Sequence, residues 1–253
     1  MSMLLSVVAQ SRRRADPDAE DYFARIVAAG STISAGNQGA VNAFIVGCKA
    51  DGIWSAIKAS CILAGADTLA GALVPLVGPA PTNVGGLFVG GDYSRTTGLV
   101  GDGLGKWIDS NFNGNLVGDN DISFGCWVSN VLGDGALMSA GRVNTGACAI
   151  VTQTPNWNIR NRNNSLAAGG TRAVGFVGSS RSDSTGMINR VGGVSVFRTM
   201  IFQAVYDGTF GIFNHKPSPN AFAADTISFY FIGEALDLAL LDARLTTLMS
   251  SLT

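Results

Sequence analysis

At 253 residues, with 47% hydrophobic content and 33 glycines, the chain has room for one large β domain or a medium domain with an appendage, and many turns. Only 14% of residues are charged and the formal net charge is −1, which leaves no electrostatic footprint for nucleic acid. With one histidine, a usual zinc ligand set would have to use most of the four dispersed cysteines (Cys48, Cys61, Cys126, Cys148), and the thiols read as buried and free.

From the N-terminus, Met3–Ala9 is too short for the apolar core of a secretory signal, and Arg12–Arg13–Arg14 follows it as a lone basic triplet, read as a solvated arm. No stretch approaches the ~20 apolar residues of a membrane span. A soluble protein made in a reducing cytosol is the expectation. Asp16–Pro17 starts a helix, with Asp as N-cap and Pro at its first position. Ala19, Tyr22, Phe23, Ile26 and Val27 share a face, and Gly30 stops the run. A second helix is predicted over Ala40–Asp51 and a short third over Ile53–Lys58. This lead-in is too small to stand alone. It must cover another surface, either the domain that follows or another subunit.

Pro75, Pro79 and Pro81 mark an extended connector, which divides the chain into a helical segment, 1–80, and a β domain, 81–253. Predicted strands are Leu104–Ile108, Ile122–Val128, Ala136–Ala140, Ala147–Gln153, Asn156–Arg160, Ala173–Ser179, Met187–Arg190, Thr199–Val205 and Phe210–His215. Short strands at such spacing argue for a sandwich or barrel. Asp225–Gly233 reads as a half-buried strand, and a helix follows from Glu234 to Leu245. Asp237 is placed to accept from the first helical turn, and Leu241, Leu245, Leu248 and Leu252 form one apolar stripe.

Three features carry a family resemblance. Gly98–Leu99–Val100–Gly101–Asp102–Gly103, running on to Trp107–Ile108, looks like the opening strand of concanavalin A-like (laminin-G-like) domains. Ile122–Ser123–Phe124 with Trp127–Val128 resembles the strand of those domains whose tryptophan anchors the sheet interface, and the strand-then-helix ending matches too. Val46–Trp54, Lys58–Ala66, Gly71–Leu76, Ser179–Ser184 and Ile232–Leu236 are similar to segments of bacteriophage structural and tail-fibre-like proteins that carry this sandwich. The resemblance implies a mainly β, concanavalin A-like jelly-roll sandwich with a helical N-terminal segment and a short C-terminal helix. It further implies a non-enzymatic virion protein, a capsid decoration, head-fibre or tail-fibre module assembled in the host cytoplasm. Its partners would be other virion proteins and copies of itself, a trimer by analogy. Tyr22, Phe23, Phe44 and Trp54 are then the candidate assembly contacts.

Catalytic signals are sparse. Polysaccharide-cutting members of this class need two carboxylates flanking the bond, and the chain's two glutamates, Glu20 and Glu234, lie far apart in sequence with no E-x-D-x-x-E setting. His215 has no nucleophile elbow to serve. Gly101–Gly105 reads as a strand-entry turn rather than a phosphate loop. Asp119, Asp121 and Asp134 read as turn residues, and Asp102, Asp119 and Asp121 lack EF-hand spacing for calcium. No cofactor is expected. Trp157, beside Asn161 and Asn163, leaves two readings open. One is a polar hairpin whose tryptophan faces the core. The other is an aromatic and amide platform for a host-surface glycan.

Overall fold

The computed structural model describes residues 15–141, 146–204, 206–216 and 221–253, so the basic triplet and Met3–Ala9 lie outside the described residues. The helices are α1 (Pro17–Ala28), α2 (Ala35–Ala50), α3 (Leu69–Ala72) and α4 (Leu238–Ser251). The strands are β1 (Ile57–Ile62), β2 (Pro75–Val77), β3 (Thr82–Asn83), β4 (Tyr93–Ser94), β5 (Gly98–Val100), β6 (Ile108–Asn113), β7 (Ile122–Asn130), β8 (Ala136–Ala140), β9 (Cys148–Gln153), β10 (Asn156–Asn161), β11 (Ala167–Thr171), β12 (Gly175–Arg181), β13 (Gly186–Val191), β14 (Val194–Thr199), β15 (Thr209–Ile212) and β16 (Thr226–Gly233). A nine-stranded sheet runs β14-β13-β12-β7-β16-β1-β2, with β5 beside β1 on the same edge of β16 and β4 paired to β5. A seven-stranded sheet runs β11-β10-β9-β8-β15-β6-β3. The fold is mainly β, two antiparallel sheets forming a jelly-roll-like sandwich.

Three layers enclose two apolar cores. Between the sheets lie Phe124, Trp157, Phe210, Phe213 and Tyr230, with Phe124 and Phe210 rings 5.5 Å apart. Between the larger sheet and α1, α2 and α4 lie Tyr22, Ile26, Phe44, Ile45, Phe229, Phe231, Leu241 and Leu245. The strand β16 belongs to both. Tyr230 and Ile232 face the smaller sheet, Phe229 and Phe231 face the helices, and all eight residues are buried. Its continuous aromatic run is therefore the mark of a strand covered on both faces rather than a half-buried one.

Two helices start at the caps read from the sequence, but the last runs Leu238–Ser251 rather than from Glu234 to Leu245. Asp16 accepts from Asp18 N–H at 3.0 Å and Asp237 from Ala239 N–H at 2.7 Å. The second helix begins earlier than its apolar period suggests, because Ser34 caps it by accepting from Asn37 N–H at 3.2 Å. Buried Asn37 then donates to Gly65 O (2.8 Å) and Thr253 O (3.1 Å), which ties the last residues to this helix. Gly47 lets α4 approach, since a Cβ there would sit 2.8 Å from Arg244 Nε. Arg244 in turn pairs bidentately with Asp51 at 2.7 and 2.8 Å.

Several expectations need correction. Among the described residues, those before residue 80 do not pack apart from the β domain: β1 and β2 belong to the larger sheet, and the register Ala59↔Ile232 to Ile62↔Phe229 locks β1 onto β16. The helix expected over Ile53–Lys58 is a short turn, Trp54–Ala56, that feeds β1. Tyr22 and Phe44 are buried within the chain, where Phe44 meets Phe229 edge-on at 5.9 Å, so neither is available as an assembly contact. Phe23 and Trp54 are half-buried against the same core, and Trp54 Nε1 donates to Asp18 at 2.9 Å beneath Lys49. The strand expected over Thr199–Val205 lies earlier, as β14. Gly192 and Gly193, with φ of 56° and 78°, form a two-residue turn that folds Val194 back onto Val191. Leu104–Ile108 is a loop until Ile108, because Asp102 Oδ1 accepts from the backbone N–H groups of Leu104, Gly105 and Lys106 at 2.9–3.0 Å. Finally, Trp127 is half-buried against the helices, and Trp157 is the tryptophan between the sheets. All four cysteines are buried and free, and burial pushes Cys48 and Cys61 up to about 12 and Cys148 up to about 11.

Candidate functional site

The asparagine and arginine run around β10 is internal. Alternation along the strand turns Trp157 and Ile159 into the inter-sheet core, and Trp157 has no exposed surface. Asn161 Nδ2 donates to Ser179 Oγ (3.2 Å) and Ile122 O (3.4 Å), while Asn163 Oδ1 accepts from Asn161 N–H at 2.8 Å and Nδ2 donates to Ser165 O at 2.9 Å. Trp157, Asn161 and Asn163 are thus corrected from a glycan-facing platform to a buried network. The neighbouring guanidiniums are spent likewise. Arg162 donates to the carbonyls of Gly114 (2.6 Å), Asp119 (2.5 Å) and Gly118, and Arg181 to those of Asn161 (2.9 Å), Asp183 (3.1 Å) and Met200 (3.2 Å). These turns leave carbonyls inside the fold that need donors, and the long side chains supply them. Burial pulls both guanidiniums below their usual range.

Polar groups converge at a cleft of about 480 Å³ at one end of the smaller sheet, lined by Gly103, Asp134–Gly135, Val151–Gln153 and Ala221–Phe222. The start of β8, the end of β9, the loop after β5 and the segment leading to β16 form its walls. Asp134, 65% exposed, is the one carboxylate among the described lining residues. Its Oδ1 accepts from Thr154 Oγ1 (2.7 Å) and Arg172 Nη1 (3.0 Å). Arg172 stands behind it, 12% exposed, with its guanidinium 4.9 Å above the Trp157 ring. Its Nη2 donates to Gly133 O and to Asp225 Oδ1 at 3.3 Å. Thr152, also on the lining, is 8% exposed, and its hydroxyl has no partner among the described residues. Phe222, half-buried, adds an apolar ring. Sequence reasoning reached Asp134 only as a turn residue and missed Thr152, Arg172 and Phe222. Their common signal is position at strand ends that only topology brings together.

Beneath the cleft, Asp225 has no exposed surface and also accepts from Leu132 N–H (2.7 Å) and Gly133 N–H (3.3 Å). Burial pushes its carboxyl above the usual range, against the pull of those N–H groups and of Arg172. A carboxyl raised on folding contributes stability below its unfolded value, and that contribution is lost as pH rises through the folded one. Removing Arg172 raises it further. Arg172→Met is therefore expected to cost about 3 kcal/mol at pH 7.5 and clearly less at pH 3.5, read from urea midpoints. An equal loss at both pH values would show that Arg172 acts through packing alone.

The other sequence candidates stand apart. Glu234 follows β16 and pairs with Lys58 at 3.0 Å, Glu20 lies on α1, and neither lines the cleft. Asp121 accepts from Ala235 N–H at 2.6 Å, which pins the approach to α4, and His215 is half-buried after β15. A second cleft of about 450 Å³, between Asn163–Ser165 and Thr199–Gln203, has no charged side chain among its described lining residues.

Fold and cleft together define a two-sheet sandwich with a polar recess at one end. No family model and no curated protein matches the chain, so the bacteriophage resemblance rests on the sequence segments alone. Among solved structures, a mutant of Trypanosoma rangeli sialidase displaying trans-sialidase activity is similar at TM-score 0.51 and 12% identity, over 83% of this chain and 39% of that one. The NanB sialidase of Streptococcus pneumoniae is similar at TM-score 0.41 and 10% identity, over 51% of this chain and 24% of that one. Domain 4 of an extracellular arabinanase from Geobacillus stearothermophilus, in complex with arabinotriose, gives TM-score 0.39 and 14% identity, over 55% of this chain and 72% of that one. At these identities the trypanosomal likeness establishes the fold alone, and this chain spans well under half the length of either sialidase.

Proposed function

We propose that this chain is a non-catalytic glycan-binding sandwich whose ligand site is the Asp134 cleft. The observation that carries the reading is the convergence there of an anchored carboxylate, the exposed Gln153 amide and an aromatic ring. Sugars present paired hydroxyls and an apolar C–H face, which such a set can receive: Asp134 accepts from hydroxyls, the Gln153 amide donates, and Phe222 takes the C–H face. Glycosidic cleavage by the two-carboxylate route requires a second carboxylate reaching the bond. Asp225, the nearest other carboxylate bonded to Arg172, lies beneath the lining rather than on it.

The test is a glycan array probed with the full chain and with Asp134→Asn. Losing a hydrogen bond to a charged acceptor is worth about 1.5–3 kcal/mol, so the variant is expected to bind on the order of tenfold or more weakly. Unchanged binding by the variant would remove the cleft from the reading. Display of the module on a bacteriophage particle, as a closed oligomer, belongs with this proposal and is supported by the sequence segments named above. Immunogold labelling of purified particles tests it, and absence of label on exposed particles would sink it. Attachment through Tyr22 and Phe44 forms no part of it, because their side chains are already used inside the fold.

A further inference from the structure

We infer that the cleft selects uncharged sugars carrying adjacent hydroxyls and rejects glycans that end in sialic or uronic acid. The inference rests on the glycan-binding reading above and concerns which chemical class the same site takes.

The charges around the cleft carry it. Asp134 is the exposed charge on the lining. Asp102 neighbours the lining residue Gly103. Burial raises its carboxyl, but the N–H groups of Gly105, Lys106 and Leu104, with the Lys106 ammonium that pairs with Asp92, outweigh this and hold it below the usual range, so it is anionic at neutral pH. Asp225 lies under the floor. Arg172 is the one cation among the described residues bonded to the lining, and it offers a ligand no open N–H pair, because its unpartnered Nε is buried. Its two Nη groups already serve Asp134, Thr154, Asp225 and Gly133 O, and one face of the guanidinium is closed by Trp157. Capture of a sugar carboxylate by arginine requires an open bidentate fork, which is absent from this one.

Hydrogen-bond polarity points the same way. Asp134 Oδ1 already accepts two bonds, and Oδ2 has no donor among the described residues. An ionised carboxylate can only accept, so its ligand must donate. A pair of sugar hydroxyls donates, whereas an acidic sugar brings a second acceptor-only group beside the first. The acidic ligand therefore meets both charge repulsion and an unpaired acceptor. Asp134 is accordingly the specificity-determining residue and Arg172 a positioning residue that fixes its rotamer.

The experiment uses the full chain on an array of neutral oligosaccharides, each matched with the same glycan capped by sialic acid or by glucuronic acid, at 20 and 500 mM NaCl. The expected result is binding of neutral members, with capped partners at least about tenfold weaker at low salt and the gap narrowing at high salt. Asp134→Asn is expected to keep the parent's near-UV circular dichroism, because the side chain is exposed, while weakening neutral binding and shrinking the gap. Capped glycans binding as well as neutral ones would overturn the selectivity while leaving the glycan-binding reading intact. No binding to any glycan would overturn both.

Discussion

Deleting residues 1–56 is expected to abolish folding rather than release a free sandwich. The deletion removes α1 and α2, and with them the cover that Tyr22, Ile26, Val41, Phe44 and Ile45 place on the larger sheet. Phe229, Phe231, Ile62 and Leu76 would then face water across most of that surface, with only α4 remaining. Uncovering each such side chain costs about 1.5–3 kcal/mol, so a handful approaches the whole margin of about 5–15 kcal/mol by which a domain is stable. The exposed aromatic strip would also be an association surface. The shortened chain should therefore be insoluble, or compact with no near-UV circular dichroism and strong dye binding. A soluble monomer unfolding as cooperatively as the full chain would show that the helices are an accessory. The sequence pattern alone points to that opposite outcome, because amphipathic helices followed by prolines look detachable. What it cannot display is that β1, the very next element, pairs with the far C-terminal strand β16.

Legibility follows this division between local and non-local causes. The first helix was readable because Asp16, Pro17 and the apolar spacing are all local, and Asp237 likewise marked the start of α4. Central strands β7, β8, β9 and β10 were readable from β-rich runs between turn residues. The β14 hairpin was missed although Gly192–Gly193 is a local signal, since the apolar weight of Ile201 and Phe202 drew the prediction downstream. Ile201 in fact stays 84% exposed in a segment without strand structure. Strand β1 was missed because Ile53–Lys58 fits a helical period about as well as an extended one, and its partner lies some 170 residues away in the register Ile57↔Gly233. The candidate site was nearly illegible for the same reason. Asp134, Thr152, Arg172 and Phe222 come from four separate places in the chain and acquire meaning only at one end of one sheet. The asparagine-rich run around β10 misled in the other direction. Its composition is that of a surface turn, but Asn161, Arg162 and Asn163 spend their polar atoms inside the fold, and Arg160 is buried with Nε and Nη1 unpartnered among the described residues.

Trp157 separates the two readings most sharply. On a sugar platform, Trp157→Ala would lose ligand and keep stability. In the structure the indole fills the inter-sheet core, so the substitution is expected to cost about 3–5 kcal/mol and lower the melting temperature by roughly 10 °C. Glycan binding should fall with it, indirectly, because Arg172 rests on the indole face and in turn holds Asp134. Trp157→Phe distinguishes this chain of support from direct contact. The indole N–H is buried with no partner among the described residues, so phenylalanine removes an unsatisfied donor while keeping a ring for Arg172. The smaller ring leaves a void, and the two effects oppose each other, which holds the net loss to about 1.5 kcal/mol or less. Binding should then stay within a few-fold of the parent. Calorimetric melting and glycan titration on both variants decide the matter. A Trp157→Ala protein that melts like the parent yet no longer binds sugar would place the indole at the surface and restore the platform reading.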